Sequence, residues 1–468
     1  MNMSVQTLQQ KIDQAGSALT MLRGSQAGPY VFPVPTEFSN WRLEQRAWRE
    51  GVALIDQSFH MTDLYVEGPD VRDFISSLAI NSFAKFGGAK AKQFVACGPD
   101  GFLIGDMIVF GLADTLVNIV GRPTVANWIE YQASLGQFDV HCTRDERSID
   151  NPRPRRTFRF QVQGPQAWAL LEELNGGPID QPHFFQMGEL SVAGHRLRSL
   201  RHGMGGAPGL EFWGPVGLYD EVRGAIMETG RKFGLRLVGA RAYGSAAVDS
   251  GWLPCPLPSI YAGEATRPYR EWLPAASYEG VASLGGSFVS DRIEDYLFTP
   301  WDVDYGRIIR FDHDFIGRSA LEEMQGRAHR RKVSLVIDPD DAATVFRSQM
   351  TPGGNGKAME MPNAHYASYP YDAVFDGNGK RVGVSTYLSF IAPDNALVSL
   401  AVVDEQFAAE GSKVTLLWGE PDGGSHRPVV EPHVQMNLRA TVARWPFSSV
   451  AQKGYRPALG QAIAAKVE

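Results

Sequence analysis

One large polar ring stands among small side chains in the segment RAYGSAAVDSGW, residues 241–252. A helix built from such small residues can pack very closely against a neighbour, and Tyr243 would lie near its start. A phenol in that position either fills space or donates a proton or hydrogen bond to a bound molecule. The segment therefore makes Tyr243 a candidate for chemistry, with a packing role as the alternative.

Two carboxylates lie within apolar segments, Asp106 in GFLIGDMIVF and Glu211 in GLEFWGP. Burying a carboxylate is costly unless it is paired or hydrogen-bonded, so each is either a satisfied structural acid or a ligand contact. Glu211 is suited to the amino and ring N–H donors of a flat heterocycle, because a carboxylate accepts two parallel hydrogen bonds. A helix cap or a salt bridge is the alternative for Glu211, and Asp106 taken alone is interpreted as structural.

Further polar residues stand at the ends of predicted strands. His60 comes directly before one strand, with Gln57 three positions earlier, and Arg122 follows another strand. Arg122 also precedes Pro123, which can open a helix, and an arginine at such a place can meet an anion. The structural alternatives are a satisfied histidine and a surface salt bridge.

The elements that would position these residues begin with helical segments around a linker, YVFPVPTEFSNW, in which two prolines exclude a helix. Short strands then alternate with helices. The segments YVEGPDVRDFI and QVQGPQAWALL look like the same strand, Gly-Pro turn and helix used twice, which predicts two related α+β units. The second unit follows the linker DNPRPRR.

From about Arg330 the chain changes character, with β-rich segments separated by turns such as DGNGK, and this favours an antiparallel barrel or sandwich. We therefore predict an α+β protein of three units, residues 1–155, 156–329 and 330–468. Residues 338–370 are rich in Gly, Pro and Met and are predicted to form a long loop.

Composition excludes several classes of protein. Of 468 residues, 44% are hydrophobic and 21% are charged, which is typical of a soluble globular protein rather than a membrane protein. The net charge of −7 and the short basic run RAHRRK argue against nucleic-acid binding. Cys97, Cys142 and Cys255 form no CxxC pair, and the N-terminus lacks a signal-peptide pattern, so a reducing, cytoplasmic location is expected.

Common catalytic and metal-binding motifs are also missing. The sequence contains no GxxxxGK[ST], HExxH or GxSxG, and the turn HGMGGAPG has a proline where a dinucleotide-binding loop would enter its helix. In FDHDFIG, Asp312, His313 and Asp314 are consecutive, and neighbouring side chains on a strand alternate between faces. No metal site is predicted.

Taken together, these segments resemble the aminomethyltransferase family, that of the glycine cleavage T protein, whose members bind tetrahydrofolate at the centre of a three-domain cloverleaf. ALIDQSFHMTDLYVEGPDVRDFI is similar to the family's Asp-x-Ser-His-Met stretch, GFLIGDMIV to its hairpin with a strand Asp, and GLEFW to its pterin-binding Gly-x-Glu. DFIGRSAL and DGNGKRVGVSTYLSF resemble its domain-connecting motif and C-terminal barrel. The order of the five segments also matches.

One departure indicates a branch of that family. The glycine cleavage enzymes carry Arg-x-Glu-x-Gly where this chain has RAYGSAAVDSGW, so Ala247 takes the expected arginine position and Tyr243 is added. This puts chemistry on a lipoyl arm in doubt. Together with the aromatic linker, the tail EPHVQMNLRATVARWPF and the chain length, the altered segment most resembles the tetrahydrofolate-dependent aryl O-demethylases of vanillate and 3-O-methylgallate, with the syringate enzymes as siblings.

The resemblance implies transfer of a methyl group from an aryl ether to tetrahydrofolate, with a small aromatic acid and the folate as ligands. A phenolate is a poor leaving group, and a tyrosine of pKa about 10 is matched to protonate it, so Tyr243 is expected to be the general acid. The resemblance further implies a folate site and a substrate site. Asp106 is expected to bind the folate rather than to exchange protons. The folate residues are Glu211, Asp106 and Trp252, and the substrate residues are His60, Arg122, Gln57 and Tyr30.

Two rival functions remain open at this stage. Another enzyme of the same fold could take a one-carbon unit from syringate, from a glycine-derived amine or from a sulfonium such as dimethylsulfoniopropionate, and a sulfonium needs no proton donor. A folate-binding protein without catalytic activity would bind folate and turn over no methyl donor. Oligomeric state is not predicted.

Overall fold

The computed structural model describes residues 6–148, 151, 154–254, 256–424 and 427–454. Cys97 and Cys142 are free thiols, while Cys255 and parts of the 150–156 linker lie outside the described residues. The elements of the first part of the chain are α1 (Leu8–Ala15), α2 (Ala18–Gly24), α3 (Trp41–Glu50), β1 (Ala53–Asp56), β2 (Thr62–Glu67), α4 (Val71–Leu78), β3 (Ala91–Cys97), β4 (Leu103–Ala113), β5 (Leu116–Gly121), α5 (Pro123–Ser134) and β6 (His141–Asp145).

Five of these strands form an antiparallel sheet in the order β3-β4-β5-β2-β6. The β3–β4 hairpin turns at residues 99–101, with Gly101 in the left-handed region at φ +80°. Helix α5 begins with Pro123 directly after β5, which leaves Arg122 at the helix N-cap. Asp106 thus lies within a strand, and Arg122 lies between a strand and a helix, as the local sequence predicts.

A second sheet is built mainly from the next part of the chain. Its elements are β7 (Thr157–Gln163), α6 (Ala167–Asn175), β8 (Met187–Val192), β9 (His195–Leu200), β10 (Gly209–Pro215), α7 (Tyr219–Gly230), β11 (Arg236–Leu237) and α8 (Ala240–Ser250). The strand order is β11-β1-β7-β10-β9-β8, so β1 from the first part of the chain pairs within this sheet. The strand pairs are antiparallel except β1–β11.

The repeated strand, Gly-Pro turn and helix occurs once in each unit, as β2–α4 and as β7–α6. Gly68 has φ +156° and Gly164 has φ +134°. A Cβ atom would lie 2.1 Å from the carbonyl oxygen of Asp139 at Gly68 and 2.3 Å from that of Gly51 at Gly164. Both turns thus require glycine for the same reasons, a left-handed backbone and a close approach.

The rest of the chain forms a connecting region and a closed barrel. The elements are α9 (Arg267–Trp272), α10 (Tyr278–Val281), β12 (Leu284–Gly285), α11 (Arg318–Met324), β13 (Arg331–Ile337), α12 (Pro339–Met350), β14 (Tyr369–Pro370), β15 (Asp372–Phe375), β16 (Arg381–Ile391), β17 (Ala396–Val403), β18 (Lys413–Trp418), β19 (Met436–Ala443) and α13 (Ser449–Gly454). The barrel order is β13-β17-β16-β15-β18-β19, antiparallel throughout. The predicted α+β class with a C-terminal antiparallel barrel is confirmed, while the unit boundaries stay predictions.

The predicted long loop over residues 338–370 is wrong in its first part, which is helix α12. Pro339 occupies the first turn of that helix, and the side chain of Asp338 accepts hydrogen bonds from the backbone N–H groups of Asp340 and Asp341. An Asp cap followed by proline is a helix-start signal that outweighs the Gly- and Pro-rich composition further along. None of the described helices combines the length and apolar character needed to cross a membrane.

Candidate active site

A cavity of about 290 Å³ lies between the two sheets, the N-terminal linker, helix α8 and the barrel. Its walls are mostly apolar, with a small number of polar groups, which is typical of a small-molecule site. The eight residues singled out from the sequence all line it: Tyr30, Gln57, His60, Asp106, Arg122, Glu211, Tyr243 and Trp252. The structure thus brings these eight residues into one cavity, while their individual roles stay predictions.

Tyr243 lies in the first turn of α8 and is 4% exposed. The small residues around it do allow a close approach, since a Cβ atom at Gly244 would lie 2.7 Å from Nδ2 of Asn363. Asn363 donates to the carbonyl of Arg241 at 2.8 Å and accepts from the hydroxyl of Ser389 at 2.8 Å. Asn363 thereby links the barrel strand β16 to the first turn of α8, which carries Tyr243.

The hydroxyl of Tyr243 is held by two polar side chains from the segment after β1. The Nε2 atom of Gln57 donates to it at 3.1 Å, and Nε2 of His60 lies 3.1 Å from it. Burial raises the pKa of Tyr243 well above its ordinary value, so the phenol is protonated at neutral pH. Tyr243 therefore carries a proton at the point where its hydroxyl meets Gln57 and His60.

His60 is neutral. Burial lowers its pKa to about 3, and the nearby guanidinium groups of Arg147, Arg155 and Arg122 act in the same direction. Of His60 and Arg122, both expected at the substrate, only Arg122 therefore carries a charge that could bind an anion. His60 acts as a hydrogen-bonding group towards Tyr243.

The linker predicted to be extended contributes an aromatic wall. The ring of Phe32 makes edge-to-face contacts with Tyr30, His60 and Tyr243, with centroid distances of 5.5, 5.3 and 4.9 Å. The hydroxyl of Tyr30 donates to the carbonyl oxygen of His60. Burial raises the pKa of Tyr30 to about 12. The wall thus fixes both rings of the Tyr243–His60 pair.

Glu211 is an ionised, buried carboxylate in β10. Its Oε1 atom accepts from Nη1 of Arg159 at 2.6 Å, and its Oε2 atom lies 3.4 Å from Nδ1 of His202. Burial acts to raise the pKa of Glu211, but Arg159 and His202 outweigh it and hold the pKa below its usual range. The salt-bridge alternative considered for Glu211 is therefore present, and it coexists with a place in the cavity wall.

Asp106 and Trp252 are in direct contact. The indole N–H of Trp252 donates to Oδ2 of Asp106 at 3.1 Å, and Gln93 and Tyr305 donate to the same oxygen at 2.9 and 3.1 Å. Burial raises the pKa of Asp106, although the three donors act to lower it. The acid is thus satisfied by the protein and is also part of the cavity wall.

Several lining residues were missed from the sequence. They come from loops and from the barrel: Met61, Phe184, Phe185, His202, Met204, Tyr305, Lys332 and Tyr387. His202 and Met204 belong to the HGMGGAPG turn, which was dismissed because it fails as a dinucleotide loop. The missing dinucleotide-loop pattern excludes one kind of ligand, and it has no bearing on a histidine beside Glu211. The barrel residues carried no local signal.

No group of three or more His, Cys, Asp or Glu side chains in the described part of the chain is arranged to hold a metal ion. In the FDHDFIG segment, Nδ1 of His313 lies 2.8 Å from Asp312 and Nε2 lies 2.9 Å from the carbonyl oxygen of Ala79. Both ring nitrogens of His313 are therefore engaged within the protein.

A protein-family model, the GCVT N-terminal domain, matches residues 11–255, more than half of the chain. The syringate O-demethylase of Sphingobium sp. (strain NBRC 103272 / SYK-6) is 45% identical over 451 residues, covering 96% of this chain and 97% of that protein. The sesamin methylene transferase of Sinomonas sp. (strain No.22) is 28% identical over 440 residues, covering 88% and 90%.

Among solved structures, the glycine cleavage system aminomethyltransferase T from Bartonella henselae superposes with a TM-score of 0.60. The match covers 91% of this chain and 94% of that one at 18% identity. This likeness confirms the aminomethyltransferase type of fold predicted from the sequence.

Proposed function

Because the chain belongs to the GCVT family, we propose that it is a tetrahydrofolate-dependent O-demethylase acting on a methoxylated benzoate. The reaction would give a catechol and 5-methyltetrahydrofolate. Folate-dependent methyl transfer is supported by the 45% identity to a syringate O-demethylase over nearly the whole chain. Vanillate and 3-O-methylgallate are the proposed substrates, and that relative makes syringate the third candidate.

The pairing of Tyr243 with Gln57 and His60 is the observation that carries the proposal. Breaking the bond between a methyl carbon and an aryl oxygen needs a proton donor at that oxygen, because an unassisted phenolate leaves poorly. If neutral His60 holds its proton on Nε2, it and Gln57 both donate to the Tyr243 oxygen at 3.1 Å. The hydroxyl proton of Tyr243 is then directed at a third partner, the ether oxygen of the substrate.

The same arrangement balances the protons of the reaction. As the methyl–oxygen bond breaks, the Tyr243 proton passes to the departing aryl oxygen, and the two donors stabilise the charge that grows on the tyrosine oxygen. Tetrahydrofolate, when bound, would supply the N5 nucleophile; that nitrogen loses one proton as the aryl oxygen gains one, so the protons of the overall reaction balance. No further acid is consumed.

The folate would be held by the residues at Glu211 and Asp106. Glu211 is ionised, with Arg159 on one oxygen and His202 3.4 Å from the other; because each carboxylate oxygen has two lone pairs, the oxygen beside His202 can still accept from an N–H group of a pterin. Trp252 offers an aromatic face beside Asp106. Asp106 already accepts three hydrogen bonds from the protein, which favours a positioning role over proton exchange.

One buried atom supports the proposal of a substrate with a hydroxyl next to its ether. The Oε1 atom of Gln57 is buried and has no hydrogen-bond partner among the described residues, although Nε2 of the same amide is bonded to Tyr243. A buried acceptor without a partner is costly, and a phenolic hydroxyl beside the methoxy group would satisfy it. Vanillate, 3-O-methylgallate and syringate all carry that hydroxyl.

The test is anaerobic incubation with tetrahydrofolate and, separately, vanillate, 3-O-methylgallate, syringate and dimethylsulfoniopropionate. Mass spectrometry would follow 5-methyltetrahydrofolate and the demethylated product. Equal amounts of both from an aromatic substrate are expected. Product only from the sulfonium would overturn the role of Tyr243, and product from none would favour a folate-binding protein without catalytic activity.

A further inference from the structure

Lys332 is a buried lysine of the cavity wall that the proposed reaction does not use. It lies on β13 of the barrel and is 6% exposed. It also lines a small adjoining pocket together with Asp106 and Tyr305. Burying an ammonium group is costly unless its surroundings offset the loss of water. The groups around Lys332 therefore indicate what the cation does.

Two neighbours fix the ammonium group of Lys332. Its Nζ atom donates to the carbonyl oxygen of Gly251 at 2.9 Å and lies 3.7 Å from the ring centroid of Trp445. Gly251 is the C-cap of α8, and the partial negative charge at the end of a helix favours a cation there. The face of a tryptophan ring favours a cation as well. The positive charge is thus held at one place in the wall.

That place is next to Asp106. Trp252 follows Gly251 directly in the chain, and its indole N–H is shared between Oδ2 of Asp106 at 3.1 Å and Oδ1 at 3.3 Å. Tyr305 donates to Oδ2 at 3.1 Å, and it shares the small pocket with Asp106 and Lys332. The barrel lysine is therefore connected to the carboxylate through Gly251 and Trp252 and shares a pocket with it.

The charge of Lys332 acts on Asp106. Burial raises the pKa of Asp106, while Gln93, Trp252 and Tyr305 lower it as hydrogen-bond donors and Lys332 lowers it through its charge. At this end of the cavity the carboxylate thus has three neutral donors and one cation. The other ionisable side chains of the cavity wall are His60, Arg122, His202 and Glu211, with the phenols of Tyr30, Tyr243 and Tyr387.

We propose that Lys332 is a positioning residue of the folate site: its ammonium group, fixed between Gly251 and Trp445, keeps Asp106 a carboxylate that can accept a hydrogen bond from the folate. This rests on the proposed function, which assigns Asp106 to the folate. The oxygen available is Oδ1, because its contact with the shared indole is the longer one and each carboxylate oxygen has two lone pairs.

The proposal predicts how folate affinity depends on pH. A protonated Asp106 loses accepting capacity, so tetrahydrofolate should bind more weakly as the pH falls through the pKa of Asp106. Without the cation that pKa lies higher, and the loss of affinity begins at a higher pH. A lysine that only packs would instead change the affinity by the same factor at every pH.

The experiment measures the dissociation constant of tetrahydrofolate by anaerobic calorimetry, without a methyl donor, between about pH 5 and pH 9. Lys332→Gln removes the charge and keeps a donor for Gly251, and Lys332→Arg keeps the charge. Lys92→Met is the matched control. Lys92 also donates to a backbone carbonyl, that of Ser82, and lies 5.2 Å from the ring centroid of Phe83, outside the cavity lining.

Lys332→Gln should move the midpoint of the pH dependence upward by about one pH unit or more, which is about tenfold weaker binding at a fixed pH below the midpoint. Lys332→Arg and Lys92→Met should keep the wild-type midpoint, because both keep a cation at position 332. An unshifted midpoint in Lys332→Gln, or an equal loss at every pH, would overturn the proposal. Lys332→Met replaces Lys332→Gln if the latter does not fold.

A second background tests whether the charge acts through Asp106. In Asp106→Asn, Lys332→Gln should add no further pH dependence, and a shift that persists there would refute the proposal. The same measurements separate this inference from the proposed function. Folate binding without turnover of any aryl ether would refute the proposed function alone, and the pH profiles would still decide the role of Lys332. A wild type that does not bind tetrahydrofolate would refute the folate site and this inference with it.

Discussion

The phenolic oxygen of Tyr243 lies 3.1 Å from Nε2 of His60, and the two residues come from different parts of the chain, 183 positions apart. Tyr243 lies on α8, and His60 lies in the segment after β1. Strand β1 pairs with β11, the strand that directly precedes α8. The pair is therefore positioned by β1, the strand that leaves the first part of the chain to join the second sheet.

Replacing Tyr243 with phenylalanine removes the proposed proton donor and keeps the ring. We expect kcat for an aromatic substrate to fall by about 10²-fold or more, the usual scale for lost acid catalysis. Folate affinity should change little, because the folate contacts are assigned to Glu211 and Asp106. Tyr65→Phe, outside the cavity, is the matched control. Full turnover in Tyr243→Phe would place the acid elsewhere.

Glu211→Gln tests the folate end. A neutral amide loses charge-assisted hydrogen bonds worth about 1.5–3 kcal/mol, so tetrahydrofolate should bind roughly tenfold to a hundredfold more weakly. Calorimetry under anaerobic conditions measures this directly. Glu221→Gln is the control, because Glu221 is an exposed acid paired with His195 at 3.0 Å. If both variants bind folate equally well, Glu211 is a structural acid only.

The low pKa of His365 predicts acid sensitivity of the fold. The folded-state pKa is about 3, below the ordinary 6.5, so between these values the unfolded chain binds one more proton and stability falls as the pH falls. Between about pH 7.5 and 5.5 this amounts to about 1.4 kcal/mol for one histidine.

Urea unfolding at the two pH values would show it. His365→Asn should lose that much less stability over the interval than the wild type, because asparagine does not titrate. His141→Asn, an exposed substitution, controls for the loss of a histidine as such. The prediction fails if wild type and His365→Asn show the same pH dependence.

The local part of the site could be predicted from the sequence. Asp106 in its strand, Arg122 before Pro123 and Tyr243 in a helix of small residues each carry a signal within about ten positions, and all three lie in one cavity. Helix α12 carries such a signal too, Asp338 before Pro339, and this signal outweighs the composition of the segment.

The rest depends on tertiary approach. Tyr387 and Lys332 are ordinary barrel positions until the barrel packs against α8, and Lys332 then donates to the carbonyl of Gly251 at 2.9 Å. Arg147, 117 positions after Tyr30 in the chain, has its Cζ atom 4.4 Å from the centroid of the Tyr30 ring. Neither contact can be predicted from the spacing of residues along the chain.

That approach of barrel and helix can itself be tested at Gly244. A methyl group there would lie 2.7 Å from Nδ2 of Asn363, which is already bonded to Arg241, so either the asparagine or α8 must shift. Overpacking of this kind costs about 1–3 kcal/mol, and a shift of α8 moves Tyr243 relative to His60. Gly244→Ala should therefore lower both the unfolding free energy and kcat.

The matched control is Gly224→Ala in helix α7, where nothing lies within 4 Å of an added Cβ atom. There alanine should be neutral or stabilising by roughly 0.5–1 kcal/mol. Asn363→Ala removes the group that the added methyl would meet, so Gly244→Ala should add little further cost in that background, a non-additivity that a double-mutant cycle measures. Additive losses would mean that contact with Asn363 is not what requires glycine beside Tyr243.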